Sequence, residues 1–318
     1  MSESFASLES LPPPLLDILG AFASLTPVKY LKPLSHLQLP FNVIHDYLLK
    51  SILLNPHFEQ YSPARQYQIT FWKWLIQQLE GRYNRLSNLR TLCESDVYQF
   101  VIAGVAPPSP SYLTYFWRDR LGAIELATLL ESRTTIEGGT TGLKTWPASL
   151  TFAGYLINNP EIVRKKRVLE LGCGTGLLGI VVATIQQRNP RVDASGSISL
   201  TDVRPDVLER CQYNAKLPCN RSSSHPDLRV DSLDWNDASK DDPEFQTKLV
   251  DMDAELIIGA DIVFDPHLIP GLVSTLVSAL ELPSPSSKQR EARVALTLRN
   301  PDTLALFLKA AGGYWVRV

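Results

Sequence analysis

The chain has 318 residues, 44% of them hydrophobic, with 31 Lys and Arg against 33 Asp and Glu and a formal charge of −2. That length allows roughly two domains with a buried core, and the near-even charge balance supplies no global attraction for nucleic acid. No apolar run approaches the roughly 18 residues of a membrane span, and the acidic start MSESFASLES has no signal-peptide core.

Residues 1 to about 131 carry no glycine-rich turn and read as a helical region. Leu15 to Leu25 follows the cluster Pro12-Pro13-Pro14, Asn42 to Leu49 follows Pro40, and Gln66 to Leu79 places Phe71, Trp72, Trp74, Leu75 and Leu79 mostly three and four residues apart. The aromatic stripe of this last segment is expected to face a core. Pro107-Pro108-Ser109-Pro110 breaks the chain, and the spacing of Tyr112, Tyr115, Phe116, Ala123 and Leu126 predicts a further helix over 111–130. Four cysteines, Cys93, Cys173, Cys211 and Cys219, show neither C-x-x-C pairing nor a histidine at a zinc-ligand offset. Neither a metal site nor a disulfide framework is expected, and a cytoplasmic setting follows naturally.

From Ser132 the character changes. Two short polar β-like pieces flank Gly138-Gly139, and Gly142 leads to Trp146, just before a helix that Pro147 starts. Trp146 either anchors a core or closes over a ligand beside the glycine loop. Arg164 to Arg167 reads as a solvated basic run between a helix and a strand. Then RVLELGCGTGLLG, Arg167 to Gly179, joins four strand-forming residues to Gly172, Gly174 and Gly176 and to an apolar helix. Closely spaced glycines let the backbone turn tightly against a ligand, and the helix start presents unpaired N–H groups. Gly174 to Gly179 also fits the dinucleotide pattern G-x-G-x-x-G. However, the strand already ends at Leu171, and Glu170 is placed for a ligand ammonium better than for a pyrophosphate.

The next strand, 197–200, ends at Thr201-Asp202, where a carboxylate suits the two hydroxyls of an adenosine ribose. The long gap before it is assigned to a surface insertion at 186–196. A helix is expected over 207–214 and a solvated polar loop over 218–227. A third strand at 228–230 leads to Asp234-Trp235, where the indole is either structural or a wall for a purine. The buried-strand pattern of 253–260, ending at Ala260, places Asp261-Ile262-Val263-Phe264 at the sheet's carboxyl edge. A run at 293–297 is the fifth strand, a helix follows over 304–311, and 314–318 can form one more strand.

Glu170-Leu171-Gly172-Cys173-Gly174-Thr175-Gly176 resembles the first motif of seven-strand S-adenosylmethionine-dependent methyltransferases. With Gly142 to Ala148 upstream and Gly259 to Phe264 downstream, the chain is similar to the protein-lysine methyltransferase group, and within it to the branch that methylates a lysine of elongation factor 2. The resemblance implies an α/β, doubly wound, Rossmann-like sheet over 132–318, preceded by a helical substrate-docking region over 1–131. It implies S-adenosyl-L-methionine as the cofactor, at Trp146, Glu170, Gly172, Cys173, Gly174, Gly176, Asp202, Asp234, Trp235 and Ala260, and the carboxylate of Asp234 suits the adenine amino group. It implies that Asp261 holds the substrate ammonium and that Phe264 borders the lysine stem. A complete sheet of this class has a further antiparallel strand, so a C-terminally incomplete sheet is expected. The alternatives are a methyltransferase for another protein or a small molecule, a nicotinamide-dependent oxidoreductase, and a non-catalytic interaction module on the same fold.

Overall fold

Helix starts in this chain are set largely by proline, whose fixed φ suits the first turn and whose missing N–H costs nothing there. Pro13, Pro56, Pro147, Pro205, Pro243 and Pro301 all occupy such positions. The structure is a computed structural model that describes residues 12–34, 39–82, 109–188, 196–240, 242–283 and 289–312. Cys93, most of the insertion at 186–196 and the strand expected at 314–318 lie outside the described residues. The chain divides into two compact units, Met1–Thr135 and Ile136–Val318.

In the first unit, α1 (Pro13–Ala23), α2 (Phe41–Leu48), α3 (Pro56–Gln60) and α4 (Arg65–Arg82) are followed by strands β1 (Ser111–Arg118) and β2 (Ile124–Glu131). Phe22 of α1 packs its ring 5.2 Å from Phe58 and 5.0 Å from Phe71. Phe71, Leu75 and Leu79 are buried along one face of α4, while Trp72 and Trp74 are half-buried beside it. The helix expected over 111–130 is instead an antiparallel hairpin that pairs Ser111 with Glu131 through to Arg118 with Ile124. Its first strand, SYLTYFWR, is aromatic and rich in β-formers. Its turn is closed by Asp119, which accepts hydrogen bonds from Leu121 N and Ala123 N, and by Gly122 at φ +87°. The helix-like spacing of Tyr112 to Leu126 runs across this turn and so joins residues of two different strands.

In the second unit, five strands form one parallel sheet in the order β5-β4-β3-β6-β7. They are β3 (Val168–Leu171), β4 (Ile198–Asp202), β5 (Leu228–Ser232), β6 (Leu256–Ala260) and β7 (Glu291–Ala295). The helices are α5 (Pro147–Asn158), α6 (Leu177–Gln186), α7 (Pro205–Ala215), α8 (Pro243–Met252), α9 (Ile269–Glu281) and α10 (Pro301–Ala311). Every residue of α6 is buried, in keeping with its largely apolar sequence, and its polar Thr184 and Gln186 donate to backbone carbonyls. The strand order reverses between β3 and β6, and a doubly wound sheet opens its ligand crevice beyond the carboxyl ends of such strands.

Two solvated stretches expected from sequence turn out to be structural. Lys166 Nζ lies 2.6 Å from Glu291 of β7, and Arg167 pairs with Asp253 at 3.1 Å, so half of the basic run fixes the start of β3 against its neighbours. In the 218–227 loop, Asn220 and Ser222 are buried and donate hydrogen bonds to the carbonyls of Asn214 and Ala215. Among the described residues no helix is long and apolar enough to cross a membrane, and no group of three or more His, Cys, Asp or Glu is arranged to hold a metal ion.

Candidate active site

The site begins where β3 runs out. Gly172 and Gly174 adopt φ of +64° and +52°, a region where side chains with a Cβ are strained. A Cβ at Gly172 would come within 2.8 Å of Ile262 Cγ2, and one at Gly174 within 3.2 Å of the Gly142 carbonyl oxygen. The turn is therefore wedged between the 139–142 loop and the segment after β6. Cys173 N donates to Thr201 O at 2.8 Å, tying the turn to the end of β4. The Cys211 side chain beside it, together with burial, pushes the Cys173 thiol well up, so it remains a neutral thiol.

A cavity of about 480 Å³ opens over this turn, within the usual range for a small-molecule site. Trp146, Glu170, Gly172, Cys173, Gly174, Asp202, Asp234, Trp235, Ala260, Asp261 and Phe264 all line it. Gly176 does not; it stands at the N-terminus of α6 at φ +90°. Residues that sequence reasoning left without a role also line the wall: Gly139 to Gly142, Thr145, Thr175, Ile262 and Arg299. Thr145 and Thr175 join hydroxyl to hydroxyl at 2.7 Å and close the wall between the polar loop and the glycine turn.

Three acidic side chains differ in how they are satisfied. Glu170 is 3% exposed, and its Oε2 has no hydrogen-bond partner among the described residues. Burial pushes its carboxyl well above the usual carboxylate range; the Gly179 backbone N–H opposes the shift and the charge of Asp202 adds to it. Asp202 accepts hydrogen bonds from Gly174 N at 3.3 Å, Val203 N at 2.9 Å and Arg204 N at 3.3 Å. Burial raises its pKa, and these backbone donors oppose the shift. Asp234 spends one oxygen on Asn236 N at 2.9 Å, while Trp235 packs on the apolar cluster under β3 and β6.

At the other end of the cavity, Asp261 sits at φ +55° and is held by the segment after β7. Its Oδ1 accepts from Thr297 N at 2.8 Å, and its Oδ2 from Thr297 Oγ1 at 3.1 Å and Arg299 Nη2 at 3.0 Å. The same guanidinium lies 4.7 Å from the centre of the Trp146 ring, whose N–H donates to Thr141 O at 3.1 Å. Phe264 is 54% exposed at the rim. The expected residues Trp146 and Asp261 thus meet through Arg299. No local pattern signals that link, because it joins a loop after the last described strand to the entrance of α5.

A family model described as lysine methyltransferase matches residues 129–293. The protein-lysine N-methyltransferase EFM3 of Chaetomium thermophilum is 32% identical over 266 residues, covering 79% of this chain and 73% of the relative. The bovine protein-lysine N-methyltransferase EEF2KMT is 25% identical over 291 residues, covering 85% and 79%. EFM3 of Saccharomyces cerevisiae is 28% identical over 180 residues, covering 53% and 48%. The chain belongs to the lysine methyltransferase family. It is accordingly a methyltransferase enzyme, and the family implies S-adenosylmethionine as methyl donor. The residues present fit that group: a glycine turn too tight for a Cβ at Gly172, a buried carboxyl oxygen on the cavity-lining residue Glu170 without a hydrogen-bond partner among the described residues, and an acidic strand end at Asp202.

Proposed function

We propose that this chain methylates a lysine side chain of elongation factor 2 in the cytoplasm. The observation that carries the substrate is the similarity to the bovine relative, whose name EEF2KMT denotes an elongation factor 2 lysine methyltransferase, over 85% of this chain. Free thiols at Cys173, Cys211 and Cys219 favour a reducing compartment. The first unit is the docking platform for the protein target, since a cofactor-binding sheet by itself supplies little target specificity.

When bound, S-adenosylmethionine supplies an electrophilic methyl group on a sulfonium. Glu170 would receive its ammonium, Asp202 its ribose hydroxyls, and Asp234 with Trp235 its adenine. Gly172 and Gly174 let the backbone approach, Cys173 and Ala260 complete the floor, and Gly176 starts the helix beneath. The substrate lysine arrives protonated, with an ordinary pKa of about 10.4, and has no lone pair until that proton passes to water. Asp261 orients the amine by a charge-assisted hydrogen bond, and Phe264 borders the aliphatic stem. Asp261 and Phe264 would hold the amine toward the methyl donor, and positioning of this kind contributes several kcal/mol.

Incubation of the full chain with labelled S-adenosylmethionine and purified elongation factor 2 tests the reading. A labelled lysine peptide is expected. Label that goes to other proteins in a cell extract, while elongation factor 2 stays unlabelled, would refute the substrate.

A further inference from the structure

The acceptor end of the cavity already holds a cation. Asp261 and Arg299 follow β6 and β7, on the far side of β3 from Asp202 and Trp235, which follow β4 and β5. A cofactor lying with its ribose on Asp202 and its adenine by Trp235 therefore presents its opposite end toward Asp261. There the Arg299 guanidinium is held between the Asp261 carboxylate, at 3.0 Å, and the face of Trp146, at 4.7 Å from the ring centre. An anion on one side and an aromatic face on the other is the environment that a desolvated alkylammonium needs.

We infer that Arg299 is a specificity-determining placeholder, occupying the ammonium position of the acceptor lysine and leaving when that lysine enters. The inference rests on the proposed cofactor orientation and lysine substrate. Three features make the exchange feasible. Arg299 reaches Asp261 through one nitrogen only, and its side chain is 44% exposed, so the pair is readily broken. Asp261 stays in place without it, because Thr297 N and Thr297 Oγ1 hold both carboxylate oxygens. A guanidinium does not lose its proton near neutral pH, so Arg299 fills the site without becoming a nucleophile, whereas a lysine can be deprotonated there. An acceptor must then bring binding energy from elsewhere on its surface to displace Arg299, which discriminates against free lysine and short peptides in favour of a docked protein.

The test uses the full chain saturated with S-adenosylhomocysteine and n-butylammonium as the probe for a lysine side chain, followed by NMR shifts of the indole N–H groups. Arg299→Ala and Arg299→Gln are measured beside the wild type, the second keeping the start of the aliphatic stem and a donor without the charge. Both variants are expected to bind the probe at least tenfold more tightly, with S-adenosylhomocysteine affinity changed less than threefold. Unchanged or weaker probe binding in both would overturn the inference, leaving Arg299 as a brace for its loop. A loss of more than tenfold in S-adenosylhomocysteine affinity in both would also overturn it, because Arg299 would then hold the cofactor's carboxylate. If the probe gain is seen but the wild type methylates no lysine protein, the proposed function fails while the cation site stands.

Discussion

At Glu170 a carboxyl group is 3% exposed with one oxygen unpartnered among the described residues, and burial holds it above its usual range. A ligand ammonium placed there binds the ionised form, so the free protein must give up a proton as the cofactor enters. Affinity for S-adenosylhomocysteine is therefore expected to rise with pH until the free Glu170 has ionised. Calorimetry in buffers of different ionisation enthalpy should show proton release that Glu170→Gln abolishes; equal release in the variant would remove Glu170 from the ammonium site. Asp261→Asn isolates a charge at the opposite end. Asn tolerates the +55° φ and keeps an acceptor for Thr297 N, but loses the anion that meets a cation. Cofactor affinity should stay within about threefold, while kcat/KM on the protein substrate falls at least tenfold, about 1.4 kcal/mol of transition-state stabilisation. Undiminished kcat/KM in a stable variant would exclude Asp261 from the acceptor site.

At the scale of elements, the hairpin β1–β2 is joined to α3 by a buried polar chain. His57 Nε2 lies 3.0 Å from Thr114 Oγ1, which in turn lies 3.0 Å from its cross-strand partner Thr128 Oγ1. Burial lowers the His57 pKa from 6.5 to about 4. The unfolded chain takes up a proton near 6.5 that the folded chain refuses until near 4, so the stabilisation is complete above pH 6.5 and is lost as pH falls toward 4. A shift of this size corresponds to about 3 kcal/mol at most. Urea unfolding followed by tryptophan fluorescence should show stability falling across that window, and His57→Gln should flatten the slope. The same slope in the variant would assign the acid sensitivity to other groups.

For the whole molecule, the proposed docking role of the first unit predicts that cofactor binding and target recognition can be separated. All residues lining the candidate site fall between Gly139 and Arg299, inside the second unit. A fragment from Ile136 to Val318 is expected to fold, by circular dichroism, and to bind S-adenosylhomocysteine. It should also lose most methyl transfer to intact elongation factor 2. Full activity of the fragment on the folded target would refute the docking role of the first unit.

What the sequence determined by itself was the part governed by short-range sterics and periodicity. Gly172 and Gly174 announce positive φ, prolines mark helix starts, and the largely apolar stretches of 168–171, 177–186 and 256–260 read directly as buried strand, helix and strand. The residues gathered at the ends of β3, β4, β5 and β6 were legible for the same reason, since a parallel sheet brings every strand's carboxyl end to one edge. Tertiary structure alone decided the rest. Residues 112–126 carry a spacing compatible with a helix, and only pairing of two β-prone segments across the Asp119–Gly122 turn resolves it as a hairpin. Lys166 and Arg167 look solvated until β6 and β7 bring Asp253 and Glu291 beside them. Arg299 has no role visible along the chain, because a lone arginine in a loop acquires one only when folding sets Asp261 and Trp146 on either side of its charge.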